Sequence, residues 1–242
     1  MVDFKNVVSS VAKLAATAVV AMSVVGCTGN AYVETADRND VITVGDSIFD
    51  LNGVIQATLE ANAGETFRNY TQSGAEISGG ALAPSVESQY ATANATNGAI
   101  DTVVMDGGGN DILIPATLFD PYGCRTRWYR WNPSQSCVNL LGDIYVSGVN
   151  LLNQMDADGV QDVVWLGYYE LPGSNANLTK ILQLGDAYLD HACNTATTAN
   201  CHYVSTLGTV PASQVEGDNI HPTPAGSVNL AGQIWPVLQP LL

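Results

Sequence analysis

Ser47 closes an apolar run, and His221 follows a carboxylate by three residues; together these side chains hold the makings of nucleophilic catalysis. Val41-Ile42-Thr43-Val44 stops at Gly45-Asp46-Ser47-Ile48. That pattern puts the hydroxyl just past a buried strand and ahead of a helix starting near Asp50 or Leu51. Free N–H groups and positive potential at such a helix start favour a developing oxyanion. By itself Gly-Asp-Ser is a turn with a helix cap; a base is needed to make it chemistry. Of the three histidines, His191 falls in a helical pattern and His202 opens an apolar strand beside Cys201, so both read as structural. His221 lies in Asp218-Asn219-Ile220-His221-Pro222-Thr223-Pro224. On a tight loop the Asp218 carboxylate can hold Nδ1, fix the tautomer and aim Nε2 at a serine. Pro222 restricts His221 to extended backbone, while Thr223 can cap a helix with Pro224 in its first position.

Two further segments offer donors to an oxyanion. Gly108-Gly109-Asn110-Asp111 follows the apolar stretch 101–105, and its glycines let the backbone turn sharply and bring the Asn110 amide toward the serine. Gly74, at the end of Asn69-Tyr70-Thr71-Gln72-Ser73-Gly74, can offer a backbone N–H with no side chain in the way of a substrate. Loss of one such donor typically costs about 2.7–4 kcal/mol of transition-state stabilisation. These are the parts of a serine esterase. No Walker or G-x-G-x-x-G pattern surrounds residues 107–109, and the lack of a G-x-S-x-G elbow removes the main support for an α/β-hydrolase fold.

The elements that must position these groups alternate along the chain. Short β-branched or aromatic runs predict strands over 41–44, 66–70, 101–105, 162–166 and 202–206. Helical patterns cover 51–61, 84–95, 138–155, 178–193 and 224–235, the last stopped by Pro236. Near-continuous apolar strands imply burial on both faces, hence a parallel sheet covered by helices. With right-handed crossovers the result is an α/β fold with an open, doubly wound, five-stranded sheet. Sites in such sheets lie beyond the strands' C-terminal ends, where most of the residues above fall.

Bulk properties fit one exported domain. At 242 residues, 46% of them hydrophobic and 13% charged, the chain can bury one sizeable α/β core. A net charge of −15 repels phosphate backbones, so nucleic acid is not an expected partner. Lys5 and Lys13 flank a short n-region ahead of a small and apolar stretch over 14–26, too short to span a bilayer but suited to a signal peptide over 1–26. Val24-Val25-Gly26-Cys27 resembles a bacterial lipobox, which would lipidate Cys27 and tether the chain to a membrane; plain secretion is the rival reading. Residues 27–39 are polar and small, a tether ahead of a domain over 40–242. Without Cys27, four of the five cysteines remain: Cys124, Cys137, Cys193 and Cys201. Three connectivities are open, and sequence proximity favours Cys124–Cys137 and Cys193–Cys201. No C-x-x-C spacing occurs to suggest zinc or a redox dithiol, and Asp156-Ala157-Asp158-Gly159 lacks the spacing of a calcium loop, so it reads as a helix-ending turn.

The four segments, taken in order, resemble the signature blocks of the GDSL, or SGNH, hydrolases. Gly45-Asp46-Ser47-Ile48 is similar to the nucleophile block, with isoleucine for the usual leucine. Asn69 to Gly74 resembles the block whose glycine donates to the oxyanion, Gly108 to Asp111 the G-x-N-D block, and Asp218 with His221 the D-x-x-H block. Ala75 stands where many members carry aspartate. The resemblance implies a flavodoxin-like three-layer α/β/α fold, no metal or other cofactor, and ester hydrolysis through an acyl-serine. In that scheme His221 takes the Ser47 proton and Ser47 attacks the carbonyl; the oxyanion rests on the Ser47 and Gly74 N–H groups and the Asn110 side chain. Asp218 orients His221.

Substrate information is expected in residues 119–137. This loop carries Tyr122, Trp128, Tyr129 and Trp131, with Arg125, Arg127 and Arg130 among them. The eight basic residues fall to six once residues 1–26 are removed, and three of those six lie here. One reading is a disulfide-closed lid whose aromatics grip an acyl or aromatic group and whose arginines attract an anionic substrate or lipid headgroup. The other is a surface loop whose arginines pair with the acidic body. The expected partner is a small-molecule or lipid ester, and a monomer is favoured. A carbohydrate O-acetyl esterase and a catalytically silent envelope-binding lipoprotein are the alternatives.

Overall fold

The computed structural model describes residues 32–80 and 82–242. The expected signal segment, Cys27 and the start of the tether lie outside the described residues. Five strands, β1 (Arg38–Val44), β2 (Phe67–Asn69), β3 (Thr102–Met105), β4 (Asp162–Leu166) and β5 (Cys201–Val204), form one parallel sheet in the order β2-β1-β3-β4-β5. The order reverses at β1 and β3, the doubly wound pattern. β1 starts earlier than expected, and Val33 bridges antiparallel to Asn69, so part of the expected tether is paired with the domain.

Among the described residues there are seven α-helices: α1 (Ser47–Asp50), α2 (Val54–Ala63), α3 (Val86–Asn94), α4 (Gly109–Leu118), α5 (Gln135–Asp158), α6 (Thr179–His191) and α7 (Pro224–Leu238). α2 packs against α7 and α5 against α6, giving the three-layer α/β/α arrangement. Side chains of Ser85, Ser134 and Thr223 cap α3, α5 and α7, each accepting a backbone N–H from the first turn. α5 ends at Gly159 in the left-handed conformation, the turn expected there. Both disulfides favoured by proximity are formed, Cys124–Cys137 and Cys193–Cys201.

Three departures from the sequence expectation have physical causes. The first helix is split, because Gly53 is left-handed and separates α1 from α2. α4 was unexpected, since glycines and Pro115 read as breakers; Ile112, Leu113 and Ala116 nevertheless bury one face of it. Pro236 does not stop α7. An interior proline costs about 3 kcal/mol, and burying a leucine returns about 1.5–3 kcal/mol; Ile234 and Leu238, on either side of Pro236, are fully buried.

β3 is buried along its length, and β4 contributes the largest buried side chain, Trp165. Its ring lies against Gly148 of α5: a Cβ there would stand 2.6 Å from Trp165 Cη2. Gly148→Ala is therefore expected to lower stability by about 1–3 kcal/mol through overpacking. Thermal unfolding checks this; an unchanged melting temperature would mean that the ring and helix part freely.

Candidate active site

The nucleophile candidate is the first residue of a helix rather than its forerunner. Asp46, not a later residue, is the N-cap of α1, its Oδ1 accepting the Ile48 N–H at 2.9 Å. The expected start near Asp50 or Leu51 is corrected accordingly. A four-residue helix cannot hold itself together, and this one is fixed from outside. The Asp46 N–H donates to Asp106 Oδ1 at 2.7 Å, and the Tyr168 hydroxyl donates to Asp46 Oδ2 at 2.7 Å. Gln89 brackets Gly45, accepting its N–H at 2.7 Å and donating to its carbonyl at 3.0 Å. A Cβ on Gly45, at φ +151°, would stand 1.8 Å from Asp106 Oδ1. Only glycine fits there.

His221 approaches from the opposite end of the sequence. Its Nε2 is 2.9 Å from Ser47 Oγ, and its Nδ1 is 2.6 Å from Asp218 Oδ2. Asp218 Oδ1 also accepts the N–H groups of Ile220 at 2.8 Å and His221 at 3.0 Å. Burial works against the charged form of Asp218, but the hydrogen bonds from His221 and from these N–H groups outweigh it and hold the carboxyl below its ordinary value. Asn219 is left-handed, φ 60°, and reverses the chain between the two. The loop is moored at each side: Tyr169 donates its hydroxyl to the Ile220 carbonyl at 2.5 Å, and Asn52 donates to the Pro222 carbonyl at 3.2 Å. Asn52 belongs to the link between α1 and α2, so the same residue holds the serine's neighbourhood and the histidine's.

The two expected donor segments are tied to each other. Asp50 accepts the Ser73 N–H at 2.8 Å and the Ser73 hydroxyl at 2.5 Å, anchoring the turn at Gly74 to α1. Asn110, in the first turn of α4, donates Nδ2 to the Ala75 carbonyl at 2.9 Å. Asp111 Oδ2 accepts the Ile77 N–H at 3.0 Å. Among the described residues, the N–H groups of Ser47 and Gly74 have no protein acceptor. All five expected site residues thus lie in linked loops and helix starts beyond the sheet, Ser47 and Asn110 in the first turns of α1 and α4 and Gly74, Asp218 and His221 in loops. His191 and His202 are structural, bonded to Tyr145 and Asp162.

Sequence reasoning missed the supporting carboxyls. Burial, then the neighbouring Asp46 charge, pushes Asp106 well above the ordinary carboxyl range. Asp111 is raised to about 7, mainly by burial; the Ile77 N–H opposes the shift, and the Glu76 charge adds to it. A carboxylate directly after a wholly apolar strand was the available signal for Asp106. Among the described residues no three His, Cys, Asp or Glu side chains come together to hold a metal.

The loop at 119–137 departs from the anion-attracting expectation. Arg125 donates to the carbonyls of Ala116 and Ser174 and to the side chains of Asn175 and Asn177. Arg130 faces Asp120 and the Arg125 carbonyl, and Arg127 lies 3.6 Å from Asp120. Most of this charge is engaged inside the loop and its neighbour. The aromatics are not: Phe119 is 89% exposed, Trp128 86% and Trp131 79%. Trp128, Trp131, Arg127 and Lys180 line a depression of about 380 Å³. A second, of about 540 Å³, begins at Glu76 and Asp111 and is walled by Leu118, Phe119 and Tyr122.

No family model and no curated sequence matches this chain. Solved structures do. A protein from Slackia heliotrinireducens assigned to the SGNH hydrolases superposes with TM-score 0.56 at 16% identity, covering 82% of this chain and 97% of its own. The fold is that of the SGNH hydrolases. A variant of an acetyl-xylooligosaccharide esterase from Geobacillus stearothermophilus shares it, with TM-score 0.57, 15% identity and coverage of 83% and 93%. So does a lipase from a goat rumen metagenome, with TM-score 0.57, 14% identity and coverage of 80% and 94%. At these identities the likeness establishes the SGNH fold and leaves the chemistry to the site.

The raised Asp111 sets a pH dependence. Its folded value of about 7 lies above the ordinary 3.8, so its contribution to stability is complete below about pH 3.8 and is lost as pH rises through 7. Asp111→Asn keeps an oxygen for the Ile77 N–H and removes the charge. The variant is expected to match the parent near pH 4 and exceed it above pH 7, by at most about 4 kcal/mol. Melting curves across pH 4–8.5 check this; parallel curves would mean that the carboxyl is charged throughout.

Proposed function

We propose that this protein is a serine carboxylic-ester hydrolase of the SGNH type, and the observation that carries the reading is the unbroken Ser47–His221–Asp218 chain of hydrogen bonds. In the free enzyme Ser47 Oγ is hydrogen-bonded to His221 Nε2, and once an ester is bound His221 accepts the hydroxyl proton as Ser47 Oγ attacks the ester carbonyl. Asp218 holds the Nδ1 proton and stabilises the imidazolium that results. The carbonyl oxygen, now an oxyanion, takes the N–H groups of Ser47 and Gly74 and the Asn110 Nδ2 hydrogen that faces away from Ala75. His221 then protonates the departing alcohol. In the second half it removes a proton from water, which displaces the acyl group and restores Ser47.

A carbohydrate O-acetyl esterase would use the same groups. The exposed Trp128 and Trp131, with Arg127 and Lys180 beside them, favour it as the second reading, because flat aromatic faces with polar neighbours suit sugar rings. The acetyl-xylooligosaccharide esterase with the same fold points the same way. A silent binding protein is the poorest fit, since nucleophile, base and orienting carboxylate are all present. Two disulfides suit an oxidising, exported setting. Lipid anchoring through Cys27 belongs to this proposal, as does action as a monomer on a small-molecule or lipid ester.

Ser47→Ala is expected to lower kcat on p-nitrophenyl esters at least ~1,000-fold with an unchanged melting temperature. A fluorophosphonate probe should label the parent and not the variant. Undiminished hydrolysis by the variant would sink the assignment. A graded acyl series run beside acetylated glycans separates the two enzyme readings.

A further inference from the structure

The Asp218–His221 loop is braced by a second loop that no catalytic motif contains. Residues Gly173–Leu178 form a 3₁₀ turn fitted against Asn219: a Cβ on Gly173 would stand 2.3 Å from Asn219 Oδ1. Within that turn Asn175 is buried, and its Nδ2 is aimed at the carbonyls of Asp218 and Asn219 at 3.5 and 3.4 Å. Asn175 could present either end of its amide to those carbonyls. Arg125 decides which. A guanidinium only donates, and Nη2 of Arg125 lies 2.9 Å from Asn175 Oδ1, so the amide nitrogen must face the other way. Arg125 is itself fixed, with Nε on the Ala116 carbonyl at 2.9 Å and Nη1 on Asn177 Oδ1 at 2.7 Å. It follows directly on Cys124, which is bonded to Cys137 at the start of α5. Thr126 adds a backbone bond to the Asn177 carbonyl at 2.8 Å.

We propose that Arg125 and Asn175 are positioning residues for the Asp218–His221 loop, with Arg125 acting through the orientation of the Asn175 amide. The proposal rests on the esterase reading. Asn219 sits in a conformation that non-glycine residues rarely adopt, and the donors from Asn175 hold the carbonyls on either side of it. Asp218 is half exposed and meets His221 through this short turn, so a slackened turn moves Nδ1 and its carboxylate out of line. A misplacement of about 1 Å at such a site costs up to ~100-fold in rate.

The test is a mutant cycle on the disulfide-intact protein with p-nitrophenyl acetate. Asn175→Asp keeps an acceptor for Arg125 but loses the donor to the loop. It is expected to lower kcat about tenfold with KM within about twofold and the melting temperature held. Asn175→Ala should match it, and Arg125→Lys should fall between this level and the parent. The double variant Arg125→Lys/Asn175→Ala should be no slower than Asn175→Ala alone, since one path links the two residues. An unchanged kcat in Asn175→Asp overturns the proposal, as does a loss that appears in KM or in melting temperature instead. Additive losses in the double variant overturn the role of Arg125. A parent that neither hydrolyses esters nor takes the fluorophosphonate label removes the esterase reading, and this proposal with it.

Discussion

Val44 of β1 is paired with Met105 of β3, so the next residues of each strand, Gly45 and Asp106, leave the sheet side by side. Everything at the site depends on how close they come. With no Cβ at Gly45, Asp106 can reach across and accept the Asp46 N–H; Asp46 is thereby turned to cap α1, and Ser47 takes the first helical position. Gln89 fixes the Gly45 peptide from both sides, and Tyr168 fixes Asp46 from β4's end. A turn of four residues, unstable alone, becomes one of the most thoroughly held segments of the chain. Its rigidity is borrowed from three strands.

The carboxyls around the site pose an electrostatic problem that burial resolves. Asp46, Asp106, Asp111 and Asp218 crowd the candidate site, within a chain of net charge −15. Four full charges there would oppose an oxyanion. Burial and the neighbouring Asp46 instead push Asp106 well above the ordinary carboxyl range, and Asp111 is raised to about 7, so less than the full formal charge is favoured near neutral pH. Asp218 behaves oppositely, because its oxygens accept two backbone N–H groups and the imidazole. The carboxyl hydrogen-bonded to His221 is thus shifted toward its charged form, opposite to Asp106 and Asp111.

Local chemistry was legible wherever a residue's role is fixed by its immediate neighbours. The segments that bring Ser47, His221 and Asp218 together, the Thr223–Pro224 helix start, the five strands and both disulfides follow from patterns a few residues long. Legibility ended where a contact spans the fold. Gln89 lies 44 residues from Gly45 and Asp106 lies 60 from Asp46, and neither has a local pattern that announces a partner. Asn175 looked like ordinary loop. α4 was hidden because Gly108, Gly109 and Pro115 each argue against a helix, yet its buried face decides the matter. The loop arginines stayed ambiguous for a related reason: their sequence allowed either attraction of an anionic substrate or internal pairing, and only the fold shows Asp120 and the 174–177 carbonyls and amides engaging them.

That last result changes where selectivity can reside. With Arg125 and Arg130 engaged inside the loop, the groups left for a substrate are aromatic faces and two depressions of different character. The one beginning at Asp111 adjoins the Asn110 turn and is apolar with an acidic rim, so it suits an uncharged portion of an ester. The other holds Trp128, Trp131, Arg127 and Lys180, and it is farther along the loop from the catalytic residues. A substrate long enough to touch both must run along the loop's length, from helix α4 toward the start of α6. The disulfide between Cys124 and Cys137 closes the loop between these two stations, so it fixes their separation and, through Arg125, ties that separation to the turn that holds His221.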